Sequence, residues 1–202
     1  MQIYFVRHGE VEANLKKVIP SGDELPGLTQ NGIQQVKALT GQISAVNRIF
    51  SSPIPRATQS AEILAAHFEL DYELSDALAE FDTGALKGQP DEVVYDVWDD
   101  WMLRKNWARR FEQGESYEDV KARFLPFIQS LTESLTQKFP DDIVMLVGHG
   151  GTFRAMLPLI LENINFPFAY QNWIPNAGFV HAKSSGESLI CTQWGTTHFP
   201  AN

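Results

Sequence analysis

Two histidines each lie just past a short apolar run and beside glycine. One run is Ile3-Tyr4-Phe5-Val6-Arg7-His8-Gly9-Glu10, the other Ile143-Val144-Met145-Leu146-Val147-Gly148-His149-Gly150-Gly151. Arginine presents a planar fork of donors that matches phosphate oxygens two at a time. Imidazole keeps an appreciable neutral, nucleophilic fraction at physiological pH. Arg7 followed by His8 therefore reads as a phosphate clamp beside a nucleophile that could attack phosphorus in line and carry a phosphoryl group covalently. Charge developing on the equatorial oxygens needs several fixed positive donors, so Arg7 alone is too few. Arg56 offers a second, directly after Pro55 in Ser51-Ser52-Pro53-Ile54-Pro55-Arg56-Ala57. An arginine in the first turn of a helix is unfavourable by roughly a few tenths of a kcal/mol. It makes sense there if an anion shares the site.

The elements that carry these residues follow from the apolar pattern. Apolar runs of four to eight residues read as buried strands, and ligands of open α/β sheets bind beyond the carboxyl ends of such strands. After the first strand, a polar loop is expected over 12–28, then a helix capped by Thr29 with Ile33, Val36, Leu39 and Ile43 on one face. Arg48-Ile49-Phe50-Ser51 reads as a second strand, Pro55 opens a helix, and Tyr72-Glu73-Leu74 reads as a short third strand. The longest helix should start near Ser116 and run to about Phe139, with a kink or break at Pro126. Residues 178–183 and 188–194 read as two late strands joined by a hairpin turn through Ser184-Ser185-Gly186. Strands and helices thus alternate, which is the pattern of an α/β fold. The stretch from about 82 to 115 is less regular. It holds Trp98, Trp101 and Trp107 with Arg104, Lys105, Arg109 and Arg110. It reads either as an amphipathic helical insertion with a solvated basic face or as a cap over the site.

With 202 residues, a single domain over 1–202 with that small inserted cap is expected. A net charge of −9 argues against a general nucleic-acid or anionic-membrane surface, yet a local arginine cluster can reverse the field inside a pocket. The one cysteine, Cys191, forms no internal disulfide and no metal-type spacing, which fits a reducing compartment. No targeting segment is recognisable and no apolar stretch approaches the ~20 residues of a bilayer span. A cytoplasmic location is the expectation. Oligomeric state is not legible, and a homo-oligomer stays open.

Taken together, these segments resemble the histidine phosphatase superfamily, whose branches include phosphoglycerate mutases and fructose-bisphosphatase-type enzymes. The likeness is carried by Arg7-His8-Gly9-Glu10 with Asn14, Leu28-Thr29-Gln30-Asn31-Gly32, Ser51-Ser52 through Ala61, Glu80 with Gly84 and Gly88, Gly114-Glu115-Ser116, and Gly148-His149-Gly150-Gly151. It is collinear from Met1 to about Asn176. The resemblance implies a phosphoglycerate mutase-like three-layer α/β/α fold, its central sheet mostly parallel with helices on both faces. It implies His8 as the nucleophile that becomes phosphohistidine, Arg7, Arg56 and His149 as the phosphate pocket, and Asn14 as a further contact. It makes Glu80 the proton donor to the leaving oxygen and then the base that activates water. A carboxyl near neutrality can serve as acid in one half-reaction and base in the next. Asp82 competes for that role. Glu10 is given a loop-holding role. A small phosphorylated substrate and no cofactor are implied.

Two departures stand out. Gly84-Ala85-Leu86-Lys87-Gly88 lacks the aromatic-acidic pair frequent in phosphatase members, which looks closer to the mutase branch. Ser60 stands where threonine is common. The readings that follow are a phosphomonoester hydrolase, a phosphoglycerate mutase-type transferase to which Arg109-Arg110-Phe111 would offer a carboxylate site, and a non-catalytic phosphate-binding module. A metal-dependent hydrolase with His8 and His149 as ligands is disfavoured, because the neighbouring arginines repel cations. His67, His181 and His198 are expected to be structural or merely exposed.

Overall fold

The computed structural model describes residues 1–20, 27–185 and 188–200. Its strands are β1 (Gln2–Arg7), β2 (Arg48–Ser51), β3 (Tyr72–Leu74), β4 (Ile143–Gly148), β5 (Phe179–Ser185), β6 (Ser188–Trp194) and β7 (Thr197–His198). They form one sheet in the order β3-β2-β4-β1-β5-β6-β7. The four strands from β3 to β1 pair in parallel, while β5, β6 and β7 continue antiparallel beyond β1. The helices are α1 (Glu12–Lys16), α2 (Gln30–Leu39), α3 (Pro55–Phe68), α4 (Tyr95–Met102), α5 (Tyr117–Lys138), α6 (Gly150–Met156) and α7 (Phe166–Gln171).

Both sheet faces are covered because successive strand residues point to opposite sides. Val144 and Leu146 of β4, with Ile3 and Phe5 of β1, enter a core shared with residues of α4 to α7. Met145 and Val147, with Val6 and Ile49, enter a second core shared with α2 and α3. Strands buried on both sides need near-continuous apolar runs, and β4 has one. The architecture is therefore three-layer α/β/α, with the parallel strands at its centre.

Four expectations need correction or refinement. The 12–28 stretch is not all loop: α1 forms at its start and ends where Lys17 turns left-handed at φ 52°. α2 stops at Leu39, and Ile43 reaches the core instead through a turn in which its N–H bonds Leu39 O. α5 runs unbroken through Pro126. Proline removes one helical N–H, but Val120 and Phe124 on one side and Ile128 and Leu135 on the other are buried, and tertiary packing of such a stripe outweighs local propensity. Ser116 caps α5 by accepting from Asp119 N, and the Asp119 carboxylate bonds back to Ser116 N–H at 2.7 Å. Ser184 and Ser185, expected in the turn joining β5 and β6, instead pair with Leu189 and Ser188 as the end of β5, and the rest of that turn lies outside the described residues.

The tryptophans of the 82–115 stretch are core residues. Trp98 and Trp101 are buried with Phe81 and Phe111 in a contiguous aromatic cluster, and Trp107 stacks on Tyr117. Its arginines pair with local acids: Arg104 with Asp100, Arg109 with Asp96 and Asp100, Arg110 with Asp119. Among the described residues no helix is long and apolar enough to cross a membrane.

Candidate active site

Strand β4 lies between β1 and β2, so three neighbouring parallel strands deliver their carboxyl ends to one rim. Arg7 is in register with Gly148 and Ser51 with Val147. The His8 N–H donates to Gly148 O at 3.0 Å and the Ser52 N–H to Val147 O at 2.9 Å. These bonds hold the three exits side by side as they leave the sheet. From β2 the chain turns through Pro53 and Ile54 into α3, whose first turn carries Arg56. From β4 it passes through His149 into α6.

The arrangement of His8 fixes its tautomer. Nδ1 lies 2.7 Å from Gly9 O, and Arg56 Nε lies 3.1 Å from Nε2. A carbonyl only accepts and a guanidinium only donates, so the proton sits on Nδ1 and the lone pair on Nε2. Burial, then the charges of Arg56 and Arg7, hold His8 well below its ordinary pKa, against a smaller upward pull from Gly9. His8 is thus a neutral imidazole with its lone pair aimed at a guanidinium.

His149 is fully buried, its ring centroid 5.3 Å from that of His8. Its Nε2 lies 2.8 Å from Ser52 Oγ. Burial first, then Arg56, His8 and Arg7, keep it well below its ordinary pKa. Arg7 is pushed down to about 10, by burial first, with Glu80 opposing and Arg56 assisting. Arg56 is lowered for the same leading reason. Among the described residues, Arg7 Nε and His149 Nδ1 are buried without a hydrogen-bond partner. Leaving such a group unpaired costs about 1–3 kcal/mol, more when it is charged. An oxyanion beside His8 would relieve both the unpaired atoms and the crowding of two guanidinia.

Glu80 comes to this rim from the segment after β3. Its carboxylate accepts from Thr152 N–H at 2.7 Å and Gly151 N–H at 3.2 Å, the first turn of α6. A side chain at Gly151 would put Cβ 2.9 Å from Glu80 Oε1 and 2.5 Å from the Phe81 ring, so only glycine allows this approach. Asp82 is placed differently. Burial pushes its carboxyl up, but hydrogen bonds from Lys87 and the Gly84 N–H outweigh that and leave it below its ordinary value.

Arg7, His8, Asn14, Arg56 and Glu80 line one cavity of about 940 Å³ together with Gly150 and Gly151. His149 is not one of its lining residues, but its ring adjoins that of His8. The structure therefore gathers all six residues singled out from the sequence. It does not bring Arg109 or Arg110 to the cavity wall. Glu10 holds the loop: its carboxylate takes the Thr29 hydroxyl at 2.8 Å and the Asn31 amide at 3.1 Å. Ser60 accepts from Gly9 N–H at 3.1 Å, so the hydroxyl alone serves there. His181 lies in β5 between Gln2 and Thr192. Sequence reasoning passed over Ser52, Thr152 and Asn176. Asn176 donates to Asn14 Oδ1 at 3.0 Å, and Ala177 N–H to His8 O at 3.0 Å. Among the described residues no group of three or more His, Cys, Asp or Glu could hold a metal ion.

The model of the histidine phosphatase superfamily (branch 1) matches residues 3–197. Human 6-phosphofructo-2-kinase/fructose-2,6-bisphosphatase 4 is 32% identical over 167 residues, 79% of this chain and 33% of that protein. Mouse 6-phosphofructo-2-kinase/fructose-2,6-bisphosphatase 1 is 30% identical over 175 residues, 83% of this chain and 34% of that one. The chain spans about a third of the length of these curated relatives. Among solved structures, a mycobacterial glucosyl-3-phosphoglycerate phosphatase superimposes with a TM-score of 0.74 at 22% identity, covering 97% of this chain and 99% of the other. A phosphoserine phosphatase mutant from Entamoeba histolytica gives 0.77 at 22% identity, covering 96% of each. These two likenesses establish the fold.

Proposed function

The chain belongs to the histidine phosphatase superfamily, and on that footing we propose that it is a metal-independent phosphomonoester hydrolase working through phosphohistidine on His8. One observation carries the reading. The neutral His8 offers Nε2 beside the buried Arg56 and the half-buried Arg7, and the nearby Arg7 Nε and His149 Nδ1 have no partner of their own among the described residues.

The substrate phosphoryl group takes the Arg56 Nε–H away from His8 Nε2, which frees the lone pair. His8 Nε2 then attacks phosphorus in line as the bond to the ester oxygen breaks. Arg7, Arg56 and His149 donate to the equatorial oxygens, and Asn14 adds a further contact. Glu80 gives a proton to the departing alkoxide. The resulting carboxylate removes a proton from water, whose oxygen attacks phosphorus. The nitrogen–phosphorus bond breaks and inorganic phosphate leaves. Glu80 and His8 return to their starting states. Small phosphorylated molecules are the substrates and no cofactor takes part.

Mutase-type transfer finds less support, because Arg109 and Arg110 are engaged by Asp96, Asp100 and Asp119 rather than turned to the cavity. The test is covalent trapping. Brief incubation with a 32P-labelled phosphomonoester should label the protein in an acid-labile, alkali-stable bond, and His8→Ala should abolish both label and turnover. Absence of label together with no cleavage of aryl phosphates would leave phosphate binding without turnover.

A further inference from the structure

The cavity is much larger than a phosphoryl group needs, and its outer part differs in character from its floor. Away from Arg7, His8 and Arg56, its wall includes Pro53, Ile54, Val94, Tyr95 and Trp173. Tyr95 is 42% exposed and Trp173 is 55% exposed. Large aromatic side chains left in water beside a candidate site represent unused contact area.

Trp173 is also held in place. The guanidinium of Arg154 lies 3.7 Å from its ring centroid, and Trp98 lies against the same guanidinium at 5.1 Å. Arg154 is itself 1% exposed and tied by Nε to Ala169 O at 2.9 Å and by Nη2 to Tyr170 O. One face of the indole thus rests on a fixed cation. A platform already ordered loses little freedom when a ligand stacks on it.

Charge points the same way. The ionised side chains on the outer wall are Asp82, Asp91 and Glu92 against Lys17 and Lys87, three acids to two bases. Lys87 is further engaged by Asp82 at 2.8 Å. Arg154 is covered by Trp173 and is not on the wall. This is a poor setting for a second anion and a good one for a flat apolar group.

Resting on the phosphomonoesterase reading, we infer that the leaving group is an alcohol bearing an uncharged aromatic or heteroaromatic ring, stacked on Trp173 beside Tyr95, rather than one bearing a second phosphate or a carboxylate. The reaction that supplies such a substrate is phosphorylation, or phosphodiester cleavage, at the hydroxyl of a ring-bearing alcohol.

The experiment compares kcat/KM for 2-(1-naphthyl)ethyl phosphate, 2-phenylethyl phosphate, glycerol 3-phosphate and 3-phosphoglycerate. All four release a primary alkoxide, so differences report recognition rather than leaving-group chemistry. The naphthyl compound should exceed glycerol 3-phosphate by about tenfold or more, with 3-phosphoglycerate slowest. Trp173→Ala should bring the naphthyl-to-glycerol ratio down toward one, and Trp173→Phe should retain most of it. Equal rates across the panel, or a preference for 3-phosphoglycerate, would overturn the inference while leaving hydrolysis intact. If none of the four is hydrolysed, the hydrolase reading fails instead. Calorimetric titration with the same two extremes then decides the ring site, tighter naphthyl binding supporting it and equal affinity overturning it.

Discussion

The Ser52 hydroxyl and the His149 ring meet at 2.8 Å across 97 residues of sequence, both side chains fully buried. Ser52 Oγ already accepts from the Ile54 N–H at 3.2 Å. That bond takes one lone pair, and the hydroxyl proton is free to go to His149 Nε2. An imidazole accepting at Nε2 while neutral carries its proton on Nδ1, the atom with no partner among the described residues. With Ser52 donating, His149 keeps a hydrogen-bond donor at Nδ1.

The first prediction concerns that bond. Ser52→Ala frees His149 to carry its proton on either nitrogen, and a lone pair facing phosphate repels it. We expect kcat/KM to fall by about tenfold or more, within the range for loss of one oriented donor. Ser52→Thr should restore it. Nitrogen-15 spectra of labelled protein should show a single His149 tautomer in the parent and a mixture in the alanine variant. An unchanged tautomer with unchanged rate would remove Ser52 from the argument.

Glu80 gives the second. Glu80→Gln keeps an oxygen to accept from Thr152 or Gly151 but has no proton to pass to an alkoxide. Aryl phosphates, whose leaving groups need little protonation, should lose much less rate than alkyl phosphates. Parallel losses on both classes would assign Glu80 to holding the start of α6 and nothing more.

How much of this was readable in advance follows from how local each signal is. His8, Arg7 and His149 are visible because an apolar run ending in glycine marks a strand exit within the segment itself. Arg56 is visible from Pro55 beside it. The role of Glu80 is not local, and only the family likeness pointed to it, since its contacts to Gly151 and Thr152 lie more than seventy residues away. The part played by Ser52, quoted only within a motif, and that of Trp173 were invisible for the same reason. α1 escaped notice because five residues complete less than two turns and show no periodicity. Trp98 and Trp101 were seen but not placed. A stripe announces that it will be buried without saying whether its partner is a core or a ligand, and here Phe81, Phe111 and Tyr117 are the partners.

Arg56 carries the third prediction. Its Nε serves His8 in the free protein and would serve phosphate in the complex, a planar two-point role that lysine cannot copy. Arg56→Lys should lower kcat by about a hundredfold or more and weaken competitive inhibition by orthovanadate. A variant that keeps both would mean that charge alone suffices at this position.

The last prediction concerns stability against pH. His8 and His149 are held well below their ordinary pKa, and burial with the nearby Lys183 lowers His181 to about 4. Each stays neutral in the folded chain while its unfolded counterpart takes up a proton near pH 6.5. The unfolded state therefore binds more protons below that pH, and stability must fall as pH falls through 6.5. For His181 the loss ends near pH 4, whereas for His8 and His149 it continues lower. The slope from these three groups fades over about one unit above pH 6.5. Each fully neutral histidine adds up to about 1.4 kcal/mol of lost stability per pH unit in that window. Urea midpoints measured at pH 7.5, 6.5, 5.5 and 4.5 should fall slightly over the first step and more steeply over the next two. His8→Ala should make that decline shallower by one proton's worth. An equally steep decline in the variant would show that His8 is protonated in the folded chain, contrary to its place between Gly9 O and Arg56.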